Sequence, residues 1–255
     1  AIFNPTQADL QVLQDKDPNY RVFNLTQDVF NDAITSYHHR SVGGYHAAKL
    51  SLYQDLIENQ LAKQPLNMQV LNMLNAKYVI VPDSMGQPFA QLNGSALGPA
   101  WLVRNIEFVP NAAAEMRALD NFNAAEDAVV PESFKASIPK MPLFDSTASI
   151  RIEKNDHDVL NYTFNAASDQ FAVFSEVYYD RGWKAFIDGK EVPIIKTNYV
   201  LRGLAIPAGS HKIEFRFEPA SYIMGTRITS ISQIILVVVF IIALYMEYRR
   251  RKPAA

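Results

Sequence analysis

One uninterrupted apolar segment near the C-terminus constrains this chain more than any other feature. Residues Ile228 to Met246 read ITSISQIILVVVFIIALYM and carry no charge over nineteen positions. At about 1.5 Å per helical residue the segment spans roughly 29 Å, close to the hydrocarbon thickness of a bilayer. A buried strand or core helix is the alternative, but few are this long and this apolar. We therefore predict a transmembrane helix over residues 223–247.

The charges that flank this helix predict its orientation. The sequence EYRRRK follows it, with Arg249 to Lys252 as four consecutive cations, whereas only Arg227 lies close on the N-terminal side. Positive charge marks the cytoplasmic end of a membrane helix. We therefore expect a basic cytoplasmic tail over 248–255 and extracytoplasmic residues 1–222. The chain starts without Met or a signal peptide, so membrane spans upstream of Ala1 are expected to bring it outside.

The composition excludes several functional classes. The chain has 255 residues, a net charge of −2 and no cysteine. A chain without a basic excess or a long basic run is not expected to bind nucleic acid. Zinc sites built on thiolates are excluded by the lack of cysteine. We expect no cofactor.

The region from 143 to 220 alternates in the manner of short antiparallel strands. In HKIEFRFEP, Ile213, Phe215 and Phe217 alternate with charged residues, which predicts an inward apolar face. Asp188-Gly189 separates two strand-like segments and predicts a hairpin. Several such strands within eighty residues indicate an antiparallel β-sandwich of jelly-roll type.

The region 1–137 mixes helical and strand patterns and is predicted to form an α+β domain. The predicted helices cover Gly44 to Leu61 and Asn67 to Lys77, and Asn111 is predicted to cap a third. YRVFNL, YVIVP and WLVRNIEFVP are predicted strands. The proline-rich sequence IPKMPLF at 138–144 is the expected boundary between the two domains.

The segment SYHHRSVGGYHAAKL, from Ser36 to Leu50, concentrates polar chemistry. Its histidines do not have a known metal-ligand spacing, so no metal site is predicted. A glycine pair leading into a helix could instead bring backbone amides close to a phosphate. The residues predicted for such a phosphate or lipid-sugar site are His38, His39, Arg40, Ser41, Gly43, Gly44, His46 and Lys49. The alternative is structural, with Ser41 capping the helix and the glycines making the turn.

A second candidate site lies in YYDRGWKAFIDG and the strand LRGL. A sugar ring could stack on exposed aromatic side chains there, although half-buried aromatics more often belong to a core. The predicted glycan-binding residues are Tyr178, Tyr179, Trp183 and Arg202. No nucleophile elbow and no Ser/His/Asp set can be placed by spacing, so the catalytic residues stay unassigned.

Several of these segments together resemble the C-terminal part of YfhO-type bacterial membrane proteins. The resemblance rests on YRVFNLT, SYHHRSVGGYHAAKL, NMLNAKYVIVP, YYDRGWKAFIDGKEVPI, LRGLAIPAGSHKIEFRFEP and the closing apolar helix, in this order. The chain departs from the family pattern at Val42, at Ala47 and at Asp180-Arg181.

The resemblance implies a polytopic protein of the bacterial inner membrane, similar to GT-C glycosyltransferases that use a polyprenyl-phosphate sugar. In such enzymes the catalytic acid lies in the first extracytoplasmic loop, so this chain would position the lipid-linked donor or a glycan acceptor. Under that implication, Arg40, Gly43, Gly44 and Lys49 hold phosphate, and His38, His39 or His46 orients the donor or protonates a leaving group. The implied partners are the bilayer, the N-terminal membrane region of the same protein, the lipid-linked sugar and an envelope glycan. The alternative is a non-catalytic, membrane-anchored glycan-binding or scaffolding module.

Overall fold

The computed structural model describes residues 3–251 and shows a mixed α+β chain that ends in one long helix. The six α-helices described are α1 (Gln7–Val12), α2 (Ile34–His38), α3 (Ser51–Leu56), α4 (Met68–Met73), α5 (Ala112–Ala118) and α6 (Ala220–Arg251). A π-helical turn, Ile57–Leu61, continues α3, and a 3-10 helix covers Glu132–Ser137.

Most of the remaining structure is β-strand. In residues 3–142 the strands are β1 (Arg21–Asn24), β2 (Ala76–Pro82), β3 (Pro88–Leu92), β4 (Ala100–Val103), β5 (Asn105–Val109) and β6 (Asp127–Pro131). After them come β7 (Ser149–Asn155), β8 (Val159–Ala166), β9 (Gln170–Val177), β10 (Trp183–Ile187), β11 (Lys190–Val192), β12 (Ile195–Thr197), β13 (Leu201–Ile206) and β14 (Gly209–Phe217).

The strands assemble into four sheets. Strands β1, β2 and β3 form a three-stranded sheet, and β5 pairs in parallel with β6. A five-stranded sheet has the order β11-β10-β14-β8-β7, and a four-stranded sheet has the order β12-β13-β9-β4. The predicted class, mixed α+β with antiparallel sheets and a C-terminal apolar helix, is confirmed.

The five-stranded and four-stranded sheets pack against each other through one apolar cluster. Tyr162 on β8, Phe174 on β9 and Phe215 on β14 meet there in edge-on pairs, with ring centroids 4.8 to 6.1 Å apart. Such offset and edge-on aromatic pairs add to the stabilisation from buried area. Alternation along β14 places Ile213 and Phe215 in this core as expected, whereas Phe217 at the strand end is 37% exposed.

The two regions separated in the sequence share a sheet and a core. Strand β4, from the first region, pairs antiparallel with β9 of the second, with Trp101 opposite Val173. A larger apolar cluster joins Phe23, Leu56 and Val129 to Phe171 and Leu201. The division at 138–144 remains a prediction, but packing crosses it, so the two regions cannot be independent in stability.

Several local predictions are confirmed and three are wrong. Asn111 caps α5 through its side chain as predicted, and Asp188-Gly189 forms the β10–β11 turn. The helix predicted from Gly44 begins only at Ser51. The helix predicted over Asn67 to Lys77 ends at Met73, because β2 begins at Ala76.

The predicted strand WLVRNIEFVP is two strands. It divides at Arg104, so that β4 and β5 belong to different sheets. At this break the chain leaves the four-stranded sheet, where β4 pairs with β9, and enters the two-stranded sheet, where β5 pairs with β6.

Helix α6 follows β14 after two residues and is exposed along its described length. It is the one described helix that is long and apolar enough to cross a membrane. Its exposed apolar side chains include Ile234, Val238 and Ile242. A continuous exposed apolar surface of this kind is unfavourable in water and suits lipid contact. Of the basic tail, Lys252 and the residues after it lie outside the described residues.

Candidate functional site

The glycine pair of the Ser36–Leu50 segment lies in a loop and not at a helix start. Gly43 N–H donates to Ser41 Oγ at 3.1 Å and Gly44 N–H to the Val29 carbonyl at 2.6 Å. A Cβ on Gly43 would overlap the Val29 carbonyl, and Gly44 has a φ of +118°. The glycines therefore serve close packing and a left-handed turn, and their amides are already used inside the chain.

The three histidines of the segment occupy different surroundings. His39 is buried, and its Nε2 lies 2.9 Å from Asp9 Oδ1. His38 packs edge-on against Tyr37, and its buried Nε2 has no partner among residues 3–251. His46 is exposed and accepts the Ala48 N–H at its Nδ1. The described residues include no group of three or more histidine, cysteine or acidic side chains suited to a metal ion.

The two cations of the segment also separate. Lys49 Nζ donates to the Phe30 carbonyl at 3.0 Å, which holds the loop closed. Arg40 is exposed and forms no salt bridge with the described residues. Of the eight residues predicted to bind phosphate, only Arg40 and His46 point to solvent with much of their surface free.

A cleft formed by the end of this segment and the loop after β9 contains Tyr178 and Tyr179 of the predicted glycan site and none of the eight residues predicted to bind phosphate. It has a volume of about 400 Å³. We call it the Tyr178 cleft, and its lining residues are Leu50, Ser51, Leu52, Tyr178, Tyr179, Asp180, Arg181 and Lys196.

A buried ion pair supports the floor of the Tyr178 cleft. Lys196 Nζ lies 2.6 Å from Glu115 Oε2, and Glu115 Oε1 accepts the Tyr199 N–H at 2.9 Å. The Glu115 side chain is fully buried, and burial raises its pKa, opposed by the hydrogen bond and charge of Lys196. Tyr199 O–H donates to Asp55 Oδ2, and burial together with this bond raises the tyrosine pKa to about 12.

The rim of the cleft carries exposed charge next to aromatic walls. Arg181 and Asp180 are exposed, and their charged atoms are 4.0 Å apart. Tyr178 and Tyr179 are half-buried, and Tyr178 packs edge-on against Phe134. Burial raises the pKa of Tyr178. The cleft thus offers tyrosine surfaces and one exposed guanidinium, in a long ion pair with Asp180, that can also pair with an anion.

The rim of the cleft is hydrogen-bonded to the residues just before α6. Glu218 N–H donates to the Gly182 carbonyl at 2.6 Å, and Lys184 Nζ lies 3.3 Å from Glu218 Oε2. Gly182 has a φ of +112°, and a Cβ there would press on Phe217 and Pro219. The Tyr178 cleft therefore lies beside the point where the chain enters the apolar helix.

Of the other two residues of the predicted glycan site, Arg202 is buried and Trp183 is half-buried against the core between the sheets. The Arg202 guanidinium lies 4.0 Å from the Trp183 ring centroid, and Arg202 Nε donates to the Val177 carbonyl. Burial lowers the pKa of Arg202 to about 10. Trp183 also packs against Phe217, with ring centroids 5.3 Å apart. One face of Trp183 is therefore covered by Arg202, which leaves little surface for a sugar ring.

Sequence reasoning missed Glu115, Lys196 and Arg181. A single acidic residue in the apolar helix sequence AAAEMRAL was a usable signal for Glu115, because a buried carboxylate needs a partner. Lys196 gave no such signal, since its role depends on the packing of β12 against α5.

Comparisons with known proteins add one match. No curated protein and no solved structure matches the chain. The matching family model covers residues 145–229, about a third of the chain, which include β7 to β14 and the start of α6. That model is described as "Bacterial membrane protein YfhO", and the match confirms the family resemblance for this part of the chain.

Proposed function

We propose that this chain is the extracytoplasmic part of a polytopic glycosyltransferase of the bacterial inner membrane, and that it positions a polyprenyl-phosphate sugar. The membrane character comes from the family match and from α6. The glycosyltransferase role is inferred from the resemblance to GT-C enzymes. The proposal gives the chain a binding role and no catalytic residue.

The observation that carries the proposal is the position of the Tyr178 cleft beside the N-terminus of α6. If the hydrocarbon layer begins near Ile228, residues 220–227 extend above it, and the first residue of α6 lies roughly 12 Å above the hydrocarbon boundary. The headgroup layer occupies about 5–7 Å of that height. A sugar joined through phosphate to a membrane lipid would extend beyond the headgroups to the level of this cleft.

The chemistry of the cleft suits such a ligand. Arg181 is exposed beside Asp180 and can form charge-assisted hydrogen bonds to phosphate oxygens. Tyr178 and Tyr179 supply aromatic surface of the kind on which sugar rings pack. Lys196 also lines the cleft, with its charge paired to Glu115.

The proposal replaces the glycine-loop cradle with a neighbouring site. Of the Ser36–Leu50 segment, only Leu50 lines the cleft, and the amides of Gly43 and Gly44 are already bonded within the chain. In this account the Ser36–Leu50 segment supports one wall of the cleft, and Arg40 makes no contact with the donor.

Orientation in the membrane is part of the same proposal. The basic residues after Met246 favour a cytoplasmic C-terminus, which leaves β1 to β14 on the outer side of the inner membrane. Polyprenyl-phosphate donors used on that side would meet the cleft without crossing the bilayer.

A binding experiment with the full chain in lipid nanodiscs tests the proposal. The probe is a short-chain polyprenyl phosphate, and the matching uncharged polyprenol is the ligand control. We expect Arg181→Gln to weaken polyprenyl-phosphate binding about tenfold, which corresponds to the loss of one charge-assisted contact. Arg117→Gln, on the exposed side of α5, is the matched control and should bind normally.

Two outcomes would contradict the proposal. Equal binding of the phosphate and the polyprenol would show that the headgroup is not recognised. Weaker polyprenyl-phosphate binding by Arg40→Gln, with normal binding by Arg181→Gln, would show that the phosphate binds at the loop of the Ser36–Leu50 segment instead.

A further inference from the structure

The solvent face of the five-stranded sheet carries a second, polar cleft that has no role in donor positioning. Two rows of side chains cross three neighbouring strands there. Ser149, Asn165 and Ser210 are aligned across β7, β8 and β14 in one row. Arg151, Thr163 and Lys212 are aligned in the next outward-facing row.

These rows form one wall of a cleft of about 640 Å³. The β10–β11 turn closes its side with Asp188. We call it the Arg151 cleft, and its lining residues are Ser149, Arg151, Thr163, Phe164, Asn165, Asp188, Ser210, His211 and Lys212.

The charges in the Arg151 cleft favour an anion. Arg151 and Lys212 are exposed and form no salt bridge among residues 3–251. The one carboxylate in the cleft is already engaged, because Asp188 Oδ2 lies 2.6 Å from His211 Nδ1 and Oδ1 accepts the Lys212 N–H. The hydrogen bond from His211 lowers the pKa of Asp188. Two cations therefore remain without a full countercharge.

The remaining side chains favour a ligand rich in hydroxyl groups. Hydroxyl and amide side chains from Ser149, Thr163 and Asn165 can both donate and accept hydrogen bonds. Phe164 is buried and stacks on His211, with centroids 6.1 Å apart, so it offers no open ring face. Recognition here would depend on hydrogen bonds and charge, in contrast to the aromatic stacking of many neutral sugar sites.

We propose that the Arg151 cleft binds an anionic glycan, a hydroxyl-rich chain that bears carboxylate or phosphate groups. The hydroxyl and amide row contacts the sugar hydroxyls, and Arg151 and Lys212 pair with the acidic groups. This site is separate from the Tyr178 cleft and does not depend on the donor-positioning role.

The position of the cleft on β14 separates it from the lipid headgroups. Phe217 lies seven positions after Ser210 on β14, which corresponds to roughly 23 Å along the strand. The apolar helix starts three residues after Phe217. If β14 rises away from the membrane, the cleft lies beyond the lipid headgroups, which favours a polymer of the cell envelope over the head of a lipid beside α6.

A glycan array of defined neutral, carboxylated and phosphorylated oligosaccharides, probed with the full chain in nanodiscs, tests this inference. We expect bound glycans to carry acidic groups, and the double variant R151Q/K212Q to bind them at least tenfold more weakly. Lys190→Gln removes an exposed charge from the same hairpin without lining the cleft, and it should bind like the wild type.

Thermal unfolding of the double variant shows whether its fold is intact. Both replaced side chains are exposed, so its midpoint should stay within a few degrees of the wild type. Absence of any acidic glycan among the bound ligands would overturn the proposal. Equal binding by R151Q/K212Q would do the same, and binding of empty anionic nanodiscs through Arg151 would identify the site as a membrane contact instead.

Discussion

Removing the Glu115 carboxylate should destabilise the folded part of the chain that precedes α6. Glu115 is fully buried on α5 and holds both Lys196 Nζ and the Tyr199 N–H. These contacts join α5 to β12 and the turn before β13. The variant Glu115→Ala therefore removes two hydrogen bonds, and the one with Lys196 is also an ion pair.

The expected loss in the free energy of unfolding is about 3 kcal/mol. Breaking a buried ion pair by removing one partner costs roughly 3–5 kcal/mol. The Lys196 side chain is 16% exposed and can recover some hydration, which favours the lower value. The Tyr199 N–H is left buried without an acceptor, which accounts for about 1–3 kcal/mol of that loss.

The variant Glu115→Gln should lose less free energy of unfolding than Glu115→Ala. Its amide oxygen still accepts the Tyr199 N–H, and burial raises the pKa of the native carboxyl, so the native charge is itself only partly compensated. We expect a loss of about 2 kcal/mol, because Lys196 loses its countercharge while the Tyr199 N–H keeps its acceptor. The ordering of the two variants follows from the geometry and not from the charge alone.

Urea unfolding in detergent micelles, followed by tryptophan fluorescence at pH 7, measures both losses. Trp101 lies in the larger core and reports its loss of packing. Glu107→Ala is the control, because Glu107 is exposed on β5 and should change stability by less than about 0.5 kcal/mol. If Glu115→Ala matched this control, the buried pair would not support the Tyr178 cleft.

Two further predictions concern the packing and the acid stability of the fold. Burial raises the pKa of Asp9, but hydrogen bonds from Thr6 and His39 outweigh it and lower the pKa below 3.8. Asp9 therefore stabilises the fold fully above that pH and less as the pH falls through its folded pKa, and Asp9→Asn should flatten this loss in acid unfolding curves. Gly203→Ala would push a methyl group against Thr197 and the Phe171 ring, and should cost about 1–3 kcal/mol in urea unfolding. Gly94→Ala meets no atom within 4 Å, and an equal loss there would refute the packing argument.

The sequence predicts elements whose pattern is local. The alternation in β14, the Asp188-Gly189 turn and the cap at Asn111 depend on neighbouring residues alone, and all are present. The apolar helix can also be predicted from the local sequence, because a helix in contact with lipid requires a long continuous apolar segment.

Features that depend on distant contacts could not be read in the same way. The amphipathic pattern from Gly44 predicts a helix start, but hydrogen bonds from Gly44 and Tyr45 to residues 29 and 32 hold that part as a loop. Strand β4 could not be assigned to β9, since pairing across seventy residues leaves no local trace.

The candidate sites show the same limit. Tyr178 and Tyr179 were predicted from their composition and do line a cleft, whereas Trp183 and Arg202 stack on each other. Lys196 was missed because only the folded chain brings it to the cleft. The Arg151 cleft was missed because its residues come from three strands and a turn.

The central claim is that α6 crosses the inner membrane with β1 to β14 outside, and the lack of native cysteine allows a direct test. A single cysteine at Lys190 or at Arg250 is labelled with a membrane-impermeant maleimide in intact bacterial spheroplasts. The account predicts labelling of Lys190→Cys in intact spheroplasts and labelling of Arg250→Cys only after the membrane is permeabilised. Labelling of Arg250→Cys from outside, or protection of Lys190→Cys, would contradict it.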